Sequence, residues 1–217
     1  MASKLLVDEL APYAHATDVT ITTGKKIAGA NTQYKITGGA SGQVLSTDGA
    51  GALSWAANGV GKIGQVLQAF KTDTFSMNLG AWTDITGLSQ AITPVATTSK
   101  ILVMCHITDG GSHGETLSHH FFRLMRDSSA VGIGDTASNR LRATYQSSHG
   151  SASALANTCA FMFLDEPSST SALTYKMQCW SQNGTGYTLW VNRTGTDTDS
   201  TNYARSTSSI TVMEILV

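Results

Sequence analysis

Imidazoles are the side chains of this sequence best suited to hold a metal ion or move a proton near neutral pH. Of the six histidines, His106, His113, His119 and His120 fall within one short stretch. Their spacing argues against a shared ion. His119 and His120 are adjacent, so on a strand they face opposite sides. No HxH or HxxxH pair occurs, and no nearby carboxylate completes a zinc pattern. A polar, histidine-bearing loop is the expectation, with an axial ion held by one His from each of three chains as the remaining metal arrangement. No metal ligand, catalytic residue or cofactor-binding residue is assigned.

Other chemistry finds equally little support. The many serines have no strand-turn-helix context for a nucleophile elbow. Asp165 and Glu166 are adjacent in a turn before Pro167, and Asp127 and Asp135 flank an expected hairpin; neither arrangement resembles a glycosidase pair. Asp197 to Asn202 echoes alternating calcium ligands but lacks the loop glycine and the terminal glutamate. No glycine-rich loop leads from a strand into a helix, so no nucleotide cofactor is indicated. Cys105, Cys159 and Cys179 form no CxxC pair and sit in apolar runs, as small buried hydrophobes do.

The elements that position these residues are β-strands. Hydrophobic residues make up 41% of the 217, enough for a core, while charged residues reach only 13%, too few for exposed helix faces. The net charge of −1 provides no basic face for phosphates, so nucleic acid is not an expected partner. No run is long enough to span a membrane, and the opening MASKLLVDEL has no apolar core of signal-peptide length. Synthesis in a cytoplasm without export is therefore expected, and the sequons at Asn183 and Asn192 carry no weight.

From about residue 64 onward, strands are predicted at 64–70, 82–85, 88–92, 101–107, 121–126, 131–135, 154–164, 173–180, 187–191 and 208–217. Residues 101–107 are apolar on both faces, as in a strand buried inside a sandwich. Residues 173–180 alternate most regularly. Asp109 to Ser112 reads as a strand-ending turn. The last strand is expected to pin the C-terminus in a sheet. An antiparallel sandwich, most simply a jelly roll, accounts for this pattern. Trp180 falls on the polar side of its strand, so it either packs at a subunit interface or is presented to a ligand.

Residues 24–60 differ. Gly38 to Trp55 reads GGASGQVLSTDGAGALSW, two short apolar pieces around an Asp48-Gly49 turn signal. Such a segment has too little apolar surface to fold alone. Two more chains are its simplest source of partners, with Val44, Leu45, Leu53 and Trp55 buried against one another in a trimeric stem. Small residues at 56–61 make the best domain boundary.

The segment Gly42 to Trp55 resembles the GQVL-(ST)-x-(DN)-G-x-G-x-x-x-W stretch of bacteriophage fibre proteins, particularly those of marine phages, including phages of cyanobacteria. The opening MASKLLVDEL, with DVTI and GKKIAG after it, resembles the virion-docking start of the same group. Residues 64–217 are similar, more loosely, to the tumour-necrosis-factor-like trimeric jelly roll of complement globular heads.

These resemblances imply an all-β homotrimer in three parts: residues 1–23 docking to other phage virion proteins, residues 24–60 an intertwined β stem, and residues 61–217 a jelly-roll head. The implied location is the virion, and the implied role is adhesion to a host surface glycan or protein, without catalysis. Capsid or collar decoration is the alternative, and a tail-associated polysaccharide-degrading enzyme a remote one.

Overall fold

Side-chain alternation sets most of what is observed. The computed structural model describes residues 39–50, 52–57, 63–111, 117–150, 154–182 and 187–217. The expected docking segment, residues 1–23, lies outside them. The chain divides into two compact units, Met1–Gly59 and Val60–Val217.

In the first unit, β1 (Gln43–Thr47) and β2 (Leu53–Ala57) pair antiparallel, with Leu45 opposite Trp55. The turn forms where Asp48-Gly49 predicts it. Gly49 has φ 81°, a left-handed conformation that a side chain would strain. The Asp48 carboxylate accepts from the backbone N–H of Ala50 at 2.8 Å and of Ala52 at 3.1 Å, stabilising the loop as aspartate does in Asx turns.

The second unit contains β3 (Ile63–Lys71), β4 (Phe75–Met77), β5 (Thr83–Ile92), β6 (Lys100–Gly111), β7 (Ser118–Arg126), β8 (Ser129–Val131), β9 (Tyr145–His149), β10 (Ala156–Asp165), β11 (Leu173–Ser181), β12 (Leu189–Val191) and β13 (Ser208–Ile215). Every pairing is antiparallel. One sheet runs β3-β13-β6-β10. Past the end of β13, β12 takes over the same edge of β6 and carries β4 in turn. The other sheet runs β5-β11-β7, with β8 and β9 sharing the far edge of β7. Successive long strands alternate between sheets and the last strand lies beside the first, which is jelly-roll connectivity.

The core lies between the sheets. Ile101, Val103, Cys105 and Ile107 of β6, Ile210 and Val212 of β13, and Leu173, Tyr175, Met177 and Cys179 of β11 all point into it. Each fully buried side chain of this size contributes about 1.5–3 kcal/mol relative to exposure. All three cysteines are buried there as free thiols. Burial pushes the Cys159 thiol up to about 12, so it stays protonated and inert.

Several expectations are corrected. Residues 82–85 and 88–92 form one strand, β5. The hairpin partner of β7 is Ser129–Val131 rather than 131–135, because the turn closes earlier, at Asp127 with φ 51°. β4 and β9 were not anticipated, β12 starts at Leu189 rather than 187, and β13 stops at Ile215. Asp109 to Gly111 is strand, not turn. A Cβ on Gly110 would stand 2.3 Å from the Arg193 carbonyl oxygen, and one on Gly111 would stand 2.5 Å from His149 Cβ, so these glycines serve close approach inside a sheet.

Glu214 is a buried carboxylate on β13. It accepts from the Val95 N–H at 2.7 Å and from Gln65 Nε2 at 2.8 Å. Burial alone would raise its pKa; those donors outweigh burial and hold it below the usual glutamate range. A depressed folded pKa stabilises above the unfolded value, and that stability is lost as pH falls through the folded one. Glu214→Gln is therefore expected to destabilise the protein at pH 7 by about 1–3 kcal/mol. The gap between wild type and variant should close as the pH drops below the ordinary glutamate value. Paired thermal melts at neutral and strongly acidic pH measure this; a gap independent of pH would contradict it.

Candidate functional site

The two sheets present outer faces of opposite chemistry. On β6, Leu102, Met104 and His106 alternate with the core residues and point outward, half-buried. The register sets them in cross-strand rows. One row reads Val66, Met213, Leu102, Leu164. The next reads Gln68, Thr211, Met104, Met162, and the third Phe70, Ser209, His106, Ala160. No Asp, Glu, Lys or Arg occurs in these rows. Gln68 Nε2 donates to Thr211 Oγ1 at 2.8 Å, so the two polar members of the middle row already satisfy each other. Met162 is 72% exposed, Phe70 60% and Val66 55%, and a shallow apolar depression of about 410 Å³ lies between Met104, Phe161 and Met162. Residues 101–107 are thus apolar on both faces although only one face lines the core. Among the described residues nothing packs over the other face, which corrects the expectation of a strand buried on both sides.

The outer face of the second sheet is aromatic and polar. Trp180 stands half-buried on β11, away from the core, and meets Phe121 edge-to-face with ring centroids 5.4 Å apart. The Arg123 guanidinium lies 4.3 Å from the Trp82 ring centroid, a cation–π contact. Its Nε donates to Gln178 Oε1 at 2.8 Å. Gln178 and Lys176 both donate to Asp84, each at 2.7 Å. Beside Phe121, a groove of about 220 Å³ is lined by Asp135, Arg142, Tyr145 and Gln146.

The stem residues behave unequally. Leu45 and Trp55 form a direct cross-strand pair and are half-buried, while Val44 is 40% and Leu53 62% exposed. The Trp55 ring covers Gly39 so closely that a Cβ there would stand 2.6 Å from it.

A polar cluster that spacing alone did not reveal lies inside the sandwich. Asp109 on β6 faces His120 on β7 and Ser147 and His149 on β9. Asp109 Oδ2 lies 3.2 Å from His120 Nδ1 and 2.9 Å from His149 Nε2, and accepts from the Ser147 hydroxyl at 2.6 Å. His120 Nε2 lies 2.8 Å from Ser118 Oγ. All five residues are buried. Burial would raise the Asp109 pKa, but the hydrogen bonds from His120, His149 and Ser147 hold it below the ordinary carboxylate range. Burial dominates at His120 and lowers its pKa, so that ring is neutral at pH 7. Asp109 Oδ1 and His149 Nδ1 are buried without a hydrogen-bond partner. The expectation that no carboxylate stands near the histidines fails: Asp109 and His149 reach His120 through the fold.

Asp165, Glu166 and Asp197 are each engaged. Asp197 accepts from Arg205 at 2.7 Å and pairs with Arg193 at 3.1 Å, so arginines occupy the position where a calcium ligand was considered. Asp165 is held by Arg126 and Tyr175, and Glu166 by Lys100, which leaves these neighbours in separate ion pairs.

No family model matches the chain, and no curated protein does. The solved structures it resembles include infectious bursal disease virus, Gx strain, at 12% identity and TM-score 0.37, covering 76% of this chain and 43% of that one. The VP2 subviral particle of infectious bursal disease virus matches at 15% identity and TM-score 0.31, covering 77% and 40%. The Gt strain matches at 13% and 0.31, covering 76% and 43%. This chain therefore spans about two fifths of the length of those chains. Similarity at this level carries no inference about what the chain does.

Proposed function

We propose that this chain is a structural protein of a tailed bacteriophage particle, a short homotrimeric fibre that docks through its N-terminal segment and presents the jelly-roll head to a host surface. The observation that carries the reading is the largely apolar outer face of β3-β13-β6-β10, whose three central rows hold no Asp, Glu, Lys or Arg and whose end carries the Lys100–Glu166 pair. Exposed apolar area of this extent is a standing drive to associate, and further copies of the chain supply a surface of matching chemistry. The methionines suit such a contact, since flexible thioethers fill irregular gaps. In the first unit, Val44 and Leu53 are likewise exposed apolar side chains that other copies would cover. The resemblance of Gly42 to Trp55 to phage fibre segments favours three copies and a virion address.

Adhesion belongs to the other face. Aromatic rings beside amide and guanidinium groups offer stacking for the apolar side of a sugar ring and hydrogen bonds for its hydroxyls. Three such faces in one trimer would act together through effective concentration. The role is assembly and recognition without catalysis. Trp180→Ala is expected to reduce binding of the trimer to host cells or their surface glycan by roughly thirtyfold, the loss typical of an aromatic hot spot, while leaving oligomeric mass unchanged. Surface plasmon resonance on immobilised glycan measures the first and light scattering the second. Gold-labelled antibody against the head tests the address: label at particle tips supports a fibre, whereas label over the shell would replace it with capsid decoration.

A further inference from the structure

We propose that Asp109, His120 and His149 form a buried structural site for a divalent ion of the zinc class, bridging the two sheets of the sandwich. Three features of the cluster point to it.

The donor set is borderline-soft: two imidazoles and one carboxylate suit Zn(II) and its neighbours, whereas Ca(II) and Mg(II) take oxygen donors. The donor atoms, one from each residue, lie within 4.8 Å of one another. At zinc–ligand distances of about 2.0–2.2 Å, a tetrahedron has edges of roughly 3.3–3.5 Å. The observed separations of 3.2 Å and 2.9 Å are a small expansion away from that.

The second feature is a donor with nothing to do. Asp109 Oδ1 is fully buried and has no partner. A wholly buried carboxylate oxygen without a hydrogen bond is costly. An ion held by Asp109 Oδ2 and the two imidazole nitrogens would take a water as its fourth ligand, and that water would donate to the spare Oδ1.

The third is the supporting shell. Ser118 Oγ at His120 Nε2 fixes that ring with Nδ1 toward Asp109, as outer-shell partners of metal-bound histidines do. Ser147 holds the carboxylate from the side. Gly111 lacks the Cβ that would collide with His149, so the imidazole can approach β6. On binding, each ring stays a neutral imidazole: His149 presents Nε2 with its proton on Nδ1, and His120 presents Nδ1 with its proton on Nε2, donated to Ser118 Oγ. The site lies within one chain and is independent of self-association.

The test uses the untagged full-length chain, denatured and refolded with one equivalent of Zn(II) or Co(II), then desalted. One ion retained per chain, with the visible absorption of four-coordinate Co(II), is expected. His149→Ala should retain less than a tenth of that, and Asp109→Asn should also fall sharply, whereas His119→Ala, whose imidazole lies outside the cluster, should retain the full equivalent. Wild type that retains no ion overturns the proposal whatever the variants do. Equal retention by wild type, His149→Ala and Asp109→Asn, or loss in His119→Ala, overturns it as well.

Discussion

Met162→Lys is expected to convert the proposed trimer into a folded monomer. In the single chain Met162 is 72% exposed, on the outer face of β10 opposite Met104. A lysine there keeps its ammonium in water, so the cost to the fold should stay within about 0.5 kcal/mol. In the proposed trimer the same ammonium would be buried in a face whose rows hold no carboxylate, three times per particle. Removing an ion from water without a partner costs several kcal/mol, and three such penalties exceed what an ordinary interface can absorb. Light scattering should report the mass falling to that of one chain, while circular dichroism and the melting temperature of the head stay near wild type. A trimer that persists in Met162→Lys would show that the chains meet elsewhere.

Asp165→Ala should be the most damaging single change away from the sheet faces. Asp165 ends β10 and binds two groups at once. Arg126 Nη1 donates to both its oxygens, at 3.0 and 2.8 Å, and the Tyr175 hydroxyl donates at 2.6 Å. Tyr175 is wholly buried and belongs to the core. Burial and the adjacent carboxylate push its phenol pKa up, so it remains a donor at every accessible pH. Deleting the carboxylate strands that hydroxyl and leaves Arg126 without its ion-pair partner. Arg126 keeps 28% of its side chain exposed, so the cost lies mainly in the stranded phenol hydroxyl together with part of the ion pair, about 2–4 kcal/mol, which for a domain of this size lowers the melting temperature by roughly 5–10 °C. Differential scanning calorimetry measures it, with Glu166→Ala as the comparison. Glu166 only meets Lys100 at the surface, and its loss should matter little. Equal effects of the two changes would remove Asp165 from the list of structural residues.

Sequence periodicity made the all-β architecture legible where one face of a strand is apolar and the other polar. Leu173 to Ser181 is such a strand, with Tyr175, Met177 and Cys179 inward and Lys176, Gln178 and Trp180 outward. β13 likewise places Ile210 and Val212 in the core. Two failures of that logic trace to the buried cluster. β9 reads YQSSH because its inward residues include Ser147 and His149, which meet Asp109 rather than apolar neighbours, so no hydrophobic alternation marks it. Asp109-Gly110-Gly111 looks like a turn, yet the aspartate faces the histidines and the glycines admit Arg193 and His149. A strand whose inner face is polar gives no periodic signal, and residues 11 and 40 positions apart in the chain carry no local spacing to recognise. The outer face of β6 was visible as apolar but not as uncovered, since burial depends on what lies above a strand.

The central claim is that the two outer sheet faces have different fates: one meets other copies of the chain, the other meets solvent and a ligand. Oxidative footprinting of the full-length protein at micromolar concentration tests this most directly, with peptide mapping of Met104, Met162, Trp82 and Trp180. The account predicts that Met162, open in the single chain, is protected together with Met104 in a particle three times the 22.8 kDa chain mass, while Trp180 is modified readily. Rapid oxidation of Met162 in a particle of one chain mass would contradict it.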